Sequence, residues 1–186
     1  MQKRSHRLLA STLLSECDGF DKKRFEKAFL FGSFQPDCNP LSYCKGSLRG
    51  RAFLGHNFSN SQPYIDRHIH SLQRRSRWTV WQYYTLGKLT HYLADAFTYP
   101  HNDTYHEGVA AHRRYENALR LQFARYLREG GACPAPRCDD VTGDLAALHQ
   151  RYLAAASDGR RDCRYILLAT AMLMASVRPQ GAAAGA

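Results

Sequence analysis

Apolar residues recur at three- and four-residue intervals along most of the chain, and β-branched alternation is scarce, so helix is the expected class. Leu9 and Leu13 fall in register with His6 and predict a first helix that Ser5 can cap, ending near Cys17 at Asp18-Gly19. A second, short helix is expected over Asp21 to Phe31. From Gly32 to Pro63 the chain turns to Gly, Pro, Asn, Ser and Cys, which predicts a long ordered loop of the kind that carries function. One long helix should then run from Tyr64 to Thr98 and stop where Pro100 removes a donor and restricts Tyr99. Asn102-Asp103-Thr104 can cap the next helix, which ends after Glu129 at Gly130-Gly131. Two further helices fit Asp140 to Ala156 and Asp158 to Val177, and the Gly/Ala-rich tail 178–186 reads as disordered. No repeat or linker divides the chain, so the expectation is a single-domain, all-α helical bundle over residues 1–177.

Composition agrees with a packed globular chain: 44% of its 186 residues are hydrophobic and 12% aromatic. The formal charge of +10, from 26 Lys and Arg against 16 Asp and Glu, favours an anionic partner such as a phosphate ester, nucleic acid or acidic lipid surface. The most apolar stretch, Tyr165 to Val177, falls short of the roughly 20 residues a membrane span needs and reads as a core helix. The opening Met1-Gln-Lys-Arg lacks the apolar core of an export signal, from which a cytoplasmic location and free thiols at the six cysteines are expected.

The densest chemical signal is His91-Tyr-Leu-Ala-Asp95, then Pro100-His101, then His112-Arg-Arg-Tyr-Glu116. Residues four apart share a helix face, so His91 pairs with Asp95 and His112 with Glu116. Leu119 and Phe123 continue the face of His112 and Glu116, while Arg113, Arg120 and Arg128 lie opposite, so both pairs should point inward. A buried carboxylate is costly unless paired or metal-bound, and imidazole with carboxylate suits Zn²⁺. Gly87 falls in the row of His91 and Asp95, where only a packing reason justifies its cost to the helix. His6 opens the buried stripe of its own helix. His68, His70 and His106 read as surface residues, and His149 as a residue without a metal role.

The segment Leu86 to His101 resembles the signature of the zinc-dependent phospholipase C family, with His91, Asp95 and His101 at the same offsets. His112 to Glu116 is similar to that family's second signature, Gly32-Ser-Phe-Gln-Pro-Asp37 to its Gly-x-x-x-Pro-Asp loop, and Gly55-His56 and Ser5-His6 to two further histidines. The resemblance spans Ser5 to Glu116. It implies an all-α fold with two or three zinc ions: Asp95 bridging two, with His56, His91 and Asp37 near one and His6 near the other, and His101, His112 and Glu116 holding the third. The chain departs from the secreted enzymes in lacking the amino-terminal Trp whose amine is a ligand, which leaves the ion between His6 and Asp95 short of one donor.

The implied activity is hydrolysis of a phosphodiester, with phospholipid as the substrate and peripheral contact with a membrane allowed. Zinc would polarise phosphoryl oxygens and acidify water, and Asp37 would act as a ligand or as the general base. The fungal single-strand-specific nucleases are similar at the site, so nucleic acid or nucleotide is the competing substrate class, with Phe34, Phe53, Phe58, Tyr64 and Tyr99 as candidate stacking rings. A metal-stabilised binding module without catalysis is the third reading.

Overall fold

A computed structural model describes residues 1–38, 58–131, 138–155 and 158–177. Seven α-helices account for the described chain: α1 (Lys3–Glu16), α2 (Lys23–Phe34), α3 (Phe58–Gln73), α4 (Val80–Ala96), α5 (Val109–Arg128), α6 (Val141–Ala154) and α7 (Gly159–Ser176). Short 3-10 turns follow α2 at Gln35–Cys38 and α4 at Tyr99–His101. The expected all-α class holds, with no strand among the described residues.

The centre of the bundle is α4, which is buried on almost every side from Leu86 to Ala96 and packs against α1, α2, α3 and α7. A helix that is apolar all round has no solvent face to offer and so becomes the core. Leu89, Leu93, Ala94 and Phe97 meet Leu9, Phe29, Ile69, Ile166 and Leu173 there, and burying each large side chain stabilises the fold by roughly 1.5–3 kcal/mol. The buried stripe of α7, Cys163 to Met174, confirms the Tyr165–Val177 stretch as a core helix, and no helix of the described residues is long and apolar enough to cross a membrane.

The approach of α2 to α4 is set by two glycines. A Cβ on Gly87 would lie 2.1 Å from the Phe29 carbonyl oxygen, and one on Gly32 would lie 2.2 Å from the Tyr84 carbonyl oxygen. Backbone therefore rests on backbone, which is the packing reason that the cost of Gly87 called for.

Several expected boundaries shift, each for a local reason. The single helix expected over Tyr64–Thr98 is two, because Thr79 and Gln82 form a capping box: Thr79 Oγ1 accepts from the Trp81 amide at 3.2 Å and Gln82 Oε1 from the Thr79 amide at 2.9 Å. Both ends of the loop expected from Gly32 to Pro63 are helical, and residues 39–57 lie outside the described ones. Helix α2 runs on to Phe34, and α3 starts at Phe58 with Pro63 inside it, anchored by Phe58 stacked 3.7 Å from the His149 ring. Helix α1 begins after Gln2, so Ser5 is a buried residue of the helix and not its cap. Helix α5 begins only at Val109, with Gly108 at its N-cap. Asn102 is instead a buried tether, donating from Nδ2 to the carbonyls of Ala96 (3.1 Å) and Thr98 (2.8 Å). Asp140 and Asp158, where the last two helices are expected to begin, are the N-caps of α6 and α7. Cys38 and Cys163 are free thiols, while Cys44, Cys133 and the tail 178–186 lie outside the described residues.

Candidate metal centre

Helix α4 supplies His91 and Asp95, four residues apart on one face and both fully buried, with His91 Nε2 3.2 Å from Asp95 Oδ2. The Gly32–Gly87 contact fixes the other ring nitrogen. It brings the Ser33 carbonyl oxygen 3.0 Å from His91 Nδ1, and a carbonyl only accepts, so Nδ1 carries the proton and Nε2 presents its lone pair to the carboxylates. From α1, His6 enters the same space: its ring stacks on His91 with centroids 3.9 Å apart, and its Nε2 lies 3.2 Å from Asp95 Oδ1.

Asp37 joins from the 3-10 turn after α2. Its Oδ1 is 3.7 Å from His91 Nε2 and its Oδ2 3.9 Å from His6 Nε2. Half-buried at the rim, it closes the pocket over the two imidazoles.

A second group lies on the other side of Asp95. The 3-10 turn after α4 places His101 Nδ1 3.5 Å from Asp95 Oδ1. The Thr98 hydroxyl donates to the Asp95 carbonyl at 2.7 Å, so its oxygen accepts from His101 Nδ1–H at 2.9 Å and Nε2 keeps the lone pair. Helix α5 contributes His112 and Glu116, with His112 Nε2 3.3 Å from Glu116 Oε1 and the His101 and His112 rings 5.1 Å apart edge to face. His6, His91 and Asp95 thus converge as one trio, and His101, His112 and Glu116 as another.

The sequence reading passed over Met1. Its amino nitrogen is buried 2.5 Å from Asp95 Oδ1 and 3.1 Å from Glu116 Oε1, between the two trios. Gln2 Nε2 donates to Asn117 Oδ1 at 2.8 Å and holds this end against α5. No motif marks the residue, because a backbone amine carries no side-chain signature.

Electrostatics leave the inner His6 ring neutral and the Asp95 and Glu116 carboxylates ionised. Burial, with His91 beside it, pushes the His6 imidazolium down to about 4, so the ring is neutral near pH 7. Burial alone would raise Asp95, but the Met1 ammonium, His101, His6 and His91 hold its carboxyl well below the usual carboxylate range. Burial opposes ionisation of Glu116 too, yet the hydrogen bond from His112 and the Met1 ammonium bring it to about 2.

Neither ring nitrogen of His6 nor Oδ2 of Asp37 makes a hydrogen bond although all three atoms are buried. Orphaned buried polar atoms demand a partner, and neutral imidazole beside ionised carboxylate is the donor set of a zinc site. The residues therefore fit a divalent cation.

Of the residues expected here, the structure brings together His6, Asp37, His91, Asp95, His101, His112 and Glu116. His56 lies outside the described residues. His70 and His106 are exposed as expected, whereas His68 is half-buried, with Nδ1 2.8 Å from the Tyr64 carbonyl and its ring against Tyr64, and is not a surface residue. His149 is a core residue bound to Asn102 Oδ1 at 2.8 Å.

The sequence model of a family described as zinc dependent phospholipase C matches residues 5–159, through α6 and well past Glu116. No curated protein and no solved structure was found to match the chain.

Proposed function

The chain belongs to the zinc-dependent phospholipase C family, and from that premise we propose that it is a phosphodiesterase acting on phospholipid through at least two zinc ions, one on each trio of ligands. The observation that carries this reading is Asp95, a buried carboxylate whose two oxygens face different imidazoles: Oδ1 faces His6 and His101, and Oδ2 faces His91.

On this reading His6, His91 and Asp95 hold the deep ion, and His101, His112 and Glu116 the open one, with His56 a further candidate ligand. Bound zinc supplies Lewis acidity toward phosphoryl oxygens and acidifies water. Ser33 and Thr98 keep the proton on Nδ1 of His91 and His101, so both rings offer Nε2 without rearrangement. Burial keeps bulk water from the inner groups and strengthens every charge interaction there. Asp37 faces His91 through Oδ1 and His6 through Oδ2 from a half-buried turn, and it takes the role of positioning water and accepting its proton. The outer faces of His112 and Glu116 remain half-exposed, which leaves room for a substrate phosphate.

A nucleic-acid substrate is less well supported. Of the rings that would stack on bases, Phe53 lies outside the described residues, Phe58 is spent on His149, Tyr99 meets Tyr105 edge to face, and Tyr64 and Phe34 lie under Lys88 and Lys3. The decisive experiment is hydrolysis of a short-chain phosphatidylcholine by zinc-loaded protein, beside single-stranded DNA. Asp37→Asn should keep its zinc and lose turnover; full turnover in that variant, or cleavage of DNA alone, overturns the assignment.

A further inference from the structure

Four aromatic side chains form a continuous strip on the outside of α2 and α4. Trp81 lies near-parallel to Tyr84 (centroids 5.2 Å apart, planes at 28°), and Phe31 lies near-parallel to Tyr84 in turn (5.9 Å, 26°). Phe34 meets Phe31 edge to face at 5.6 Å. Two of these rings are strongly exposed, Trp81 at 68% and Phe31 at 52%. A contiguous exposed aromatic patch is costly in water and marks a surface that meets something else.

Cations fringe the strip. Lys3 Nζ lies 4.9 Å and the Arg7 guanidinium 5.6 Å from the Phe34 ring centre, and Lys88 Nζ lies 5.8 Å from that of Tyr84. Exposed Lys27 stands one helical turn before Phe31. Aromatic rings that reach into an apolar layer, with ammonium and guanidinium groups at the level of phosphates, describe a protein resting on an anionic lipid surface.

The strip is also mechanically joined to the metal centre. Tyr84 donates from its hydroxyl to Gln35 Oε1 at 2.9 Å, and Gln35 opens the 3-10 turn that carries Asp37. The residue before Gln35 is Phe34 of the strip, and the one before that is Ser33, whose carbonyl orients His91.

We infer that Phe31, Phe34, Trp81 and Tyr84, with Lys3 and Arg7, form a docking surface for a bilayer bearing anionic headgroups, which seats the chain beside its phosphodiester substrate. The choice of a lipid occupant rests on the phospholipase reading and on two features of the strip. Its rings spend much of their π-surface on one another, whereas bases need free ring faces. The fringe of cations and the net charge of +10 would repel a second copy of the chain.

The test is sedimentation of the full, zinc-loaded chain with vesicles of equal parts phosphatidylcholine and phosphatidylglycerol, and with phosphatidylcholine alone. Pelleting with the mixed vesicles, weakened by salt, is the expected result. Trp81→Ala combined with Phe31→Ala should weaken it at least about tenfold, and Lys3→Glu combined with Arg7→Glu to a similar degree. Because Trp81 and Phe31 are solvent-exposed, the first pair should keep the parent's helicity and melting temperature. In a Trp78→Phe background, Trp81 emission should shift to the blue on mixed vesicles. Unchanged pelleting in the aromatic variant, no pelleting of the parent, Trp81-dependent binding of single-stranded DNA, or a Trp81-dependent dimer would each overturn the inference. Hydrolysis of a monomeric short-chain lipid separates the two readings: binding without hydrolysis sinks the activity alone, and hydrolysis without binding sinks the docking surface alone.

Discussion

The two trios that flank Asp95 are made of the same side-chain types in opposite surroundings. His6, His91 and Asp95 have side chains at most 2% exposed, while His101, Glu116 and His112 stand at 13%, 19% and 30%. The inner trio is assembled by contact between helices: α1 brings His6, α4 brings the other two, and α2 orients His91 through Ser33. The outer trio hangs on a 3-10 turn and one face of α5, beside solvent. Rigid burial suits tight retention of an ion, and partial exposure suits exchange of a ligand, so the proposed function assigns holding to one trio and reaction to the other.

The largest expected effect comes from the residue the two halves share. Asp95→Asn should empty both, lowering zinc to less than one per chain by plasma mass spectrometry and hydrolysis by at least about 10²-fold. An ion retained on either trio would show that the halves are independent. Next, Gly87→Ala should destabilise the metal-free chain by about 2–3 kcal/mol in urea titration, since the added methyl meets the Phe29 carbonyl and the Gly32 backbone, neither of which can yield cheaply. This change should loosen the inner trio and spare the outer one.

His112→Ala should do the reverse. Competition with a zinc chelator should find one ion held at least about tenfold more weakly, with the stability of the metal-free chain moved by no more than about 0.5 kcal/mol. A large loss of stability would mean that the outer trio is structural after all. A pH-dependent effect concerns the scaffold of His101. His149 binds Asn102, which tethers the turn, and burial pushes its imidazolium down to about 4 from an ordinary value near 6.5. The fold thus favours the neutral ring; its contribution is complete above pH 6.5 and is lost as pH falls from 6.5 through 4. His149→Gln should flatten the stability profile in that window by roughly 1 kcal/mol per pH unit, measured as the difference between variant and parent without metal.

What could be read from the sequence was whatever depended on local spacing. The rows His91–Asp95 and His112–Glu116, the starts of the last two helices at Asp140 and Asp158, and the closeness implied by Gly87 all follow from local spacing within one segment. The errors arose where tertiary contacts or a competing cap decided. Pro63 looked like a boundary, yet α3 passes through it because Phe58, Ile65 and Ile69 are buried along the same helix. Thr79-x-x-Gln82 has the form of a capping box, and that cap divides the helix expected over Tyr64–Thr98. Asn102 has the chemistry of a cap and of a tether, and only the position of Ala96 and His149 settles which. Met1 became part of the centre by distance in space, ninety-four positions from Asp95 along the chain.

The paired glycines of α2 and α4 also govern which changes of length the chain can accept. With Gly87 pressed on the Phe29 carbonyl, the two helices cannot slide, so a residue inserted between Gly87 and His91 would swing the imidazole by about 100° around α4, away from Ser33. A residue inserted between Arg74 and Trp78, ahead of the Thr79 cap, would leave every distance in the centre as it is. Insertions and deletions should therefore be tolerated on one side of that cap and eliminated on the other, and the spacing from Gly87 to Asp95 is a gauge as stringent as the ligands themselves.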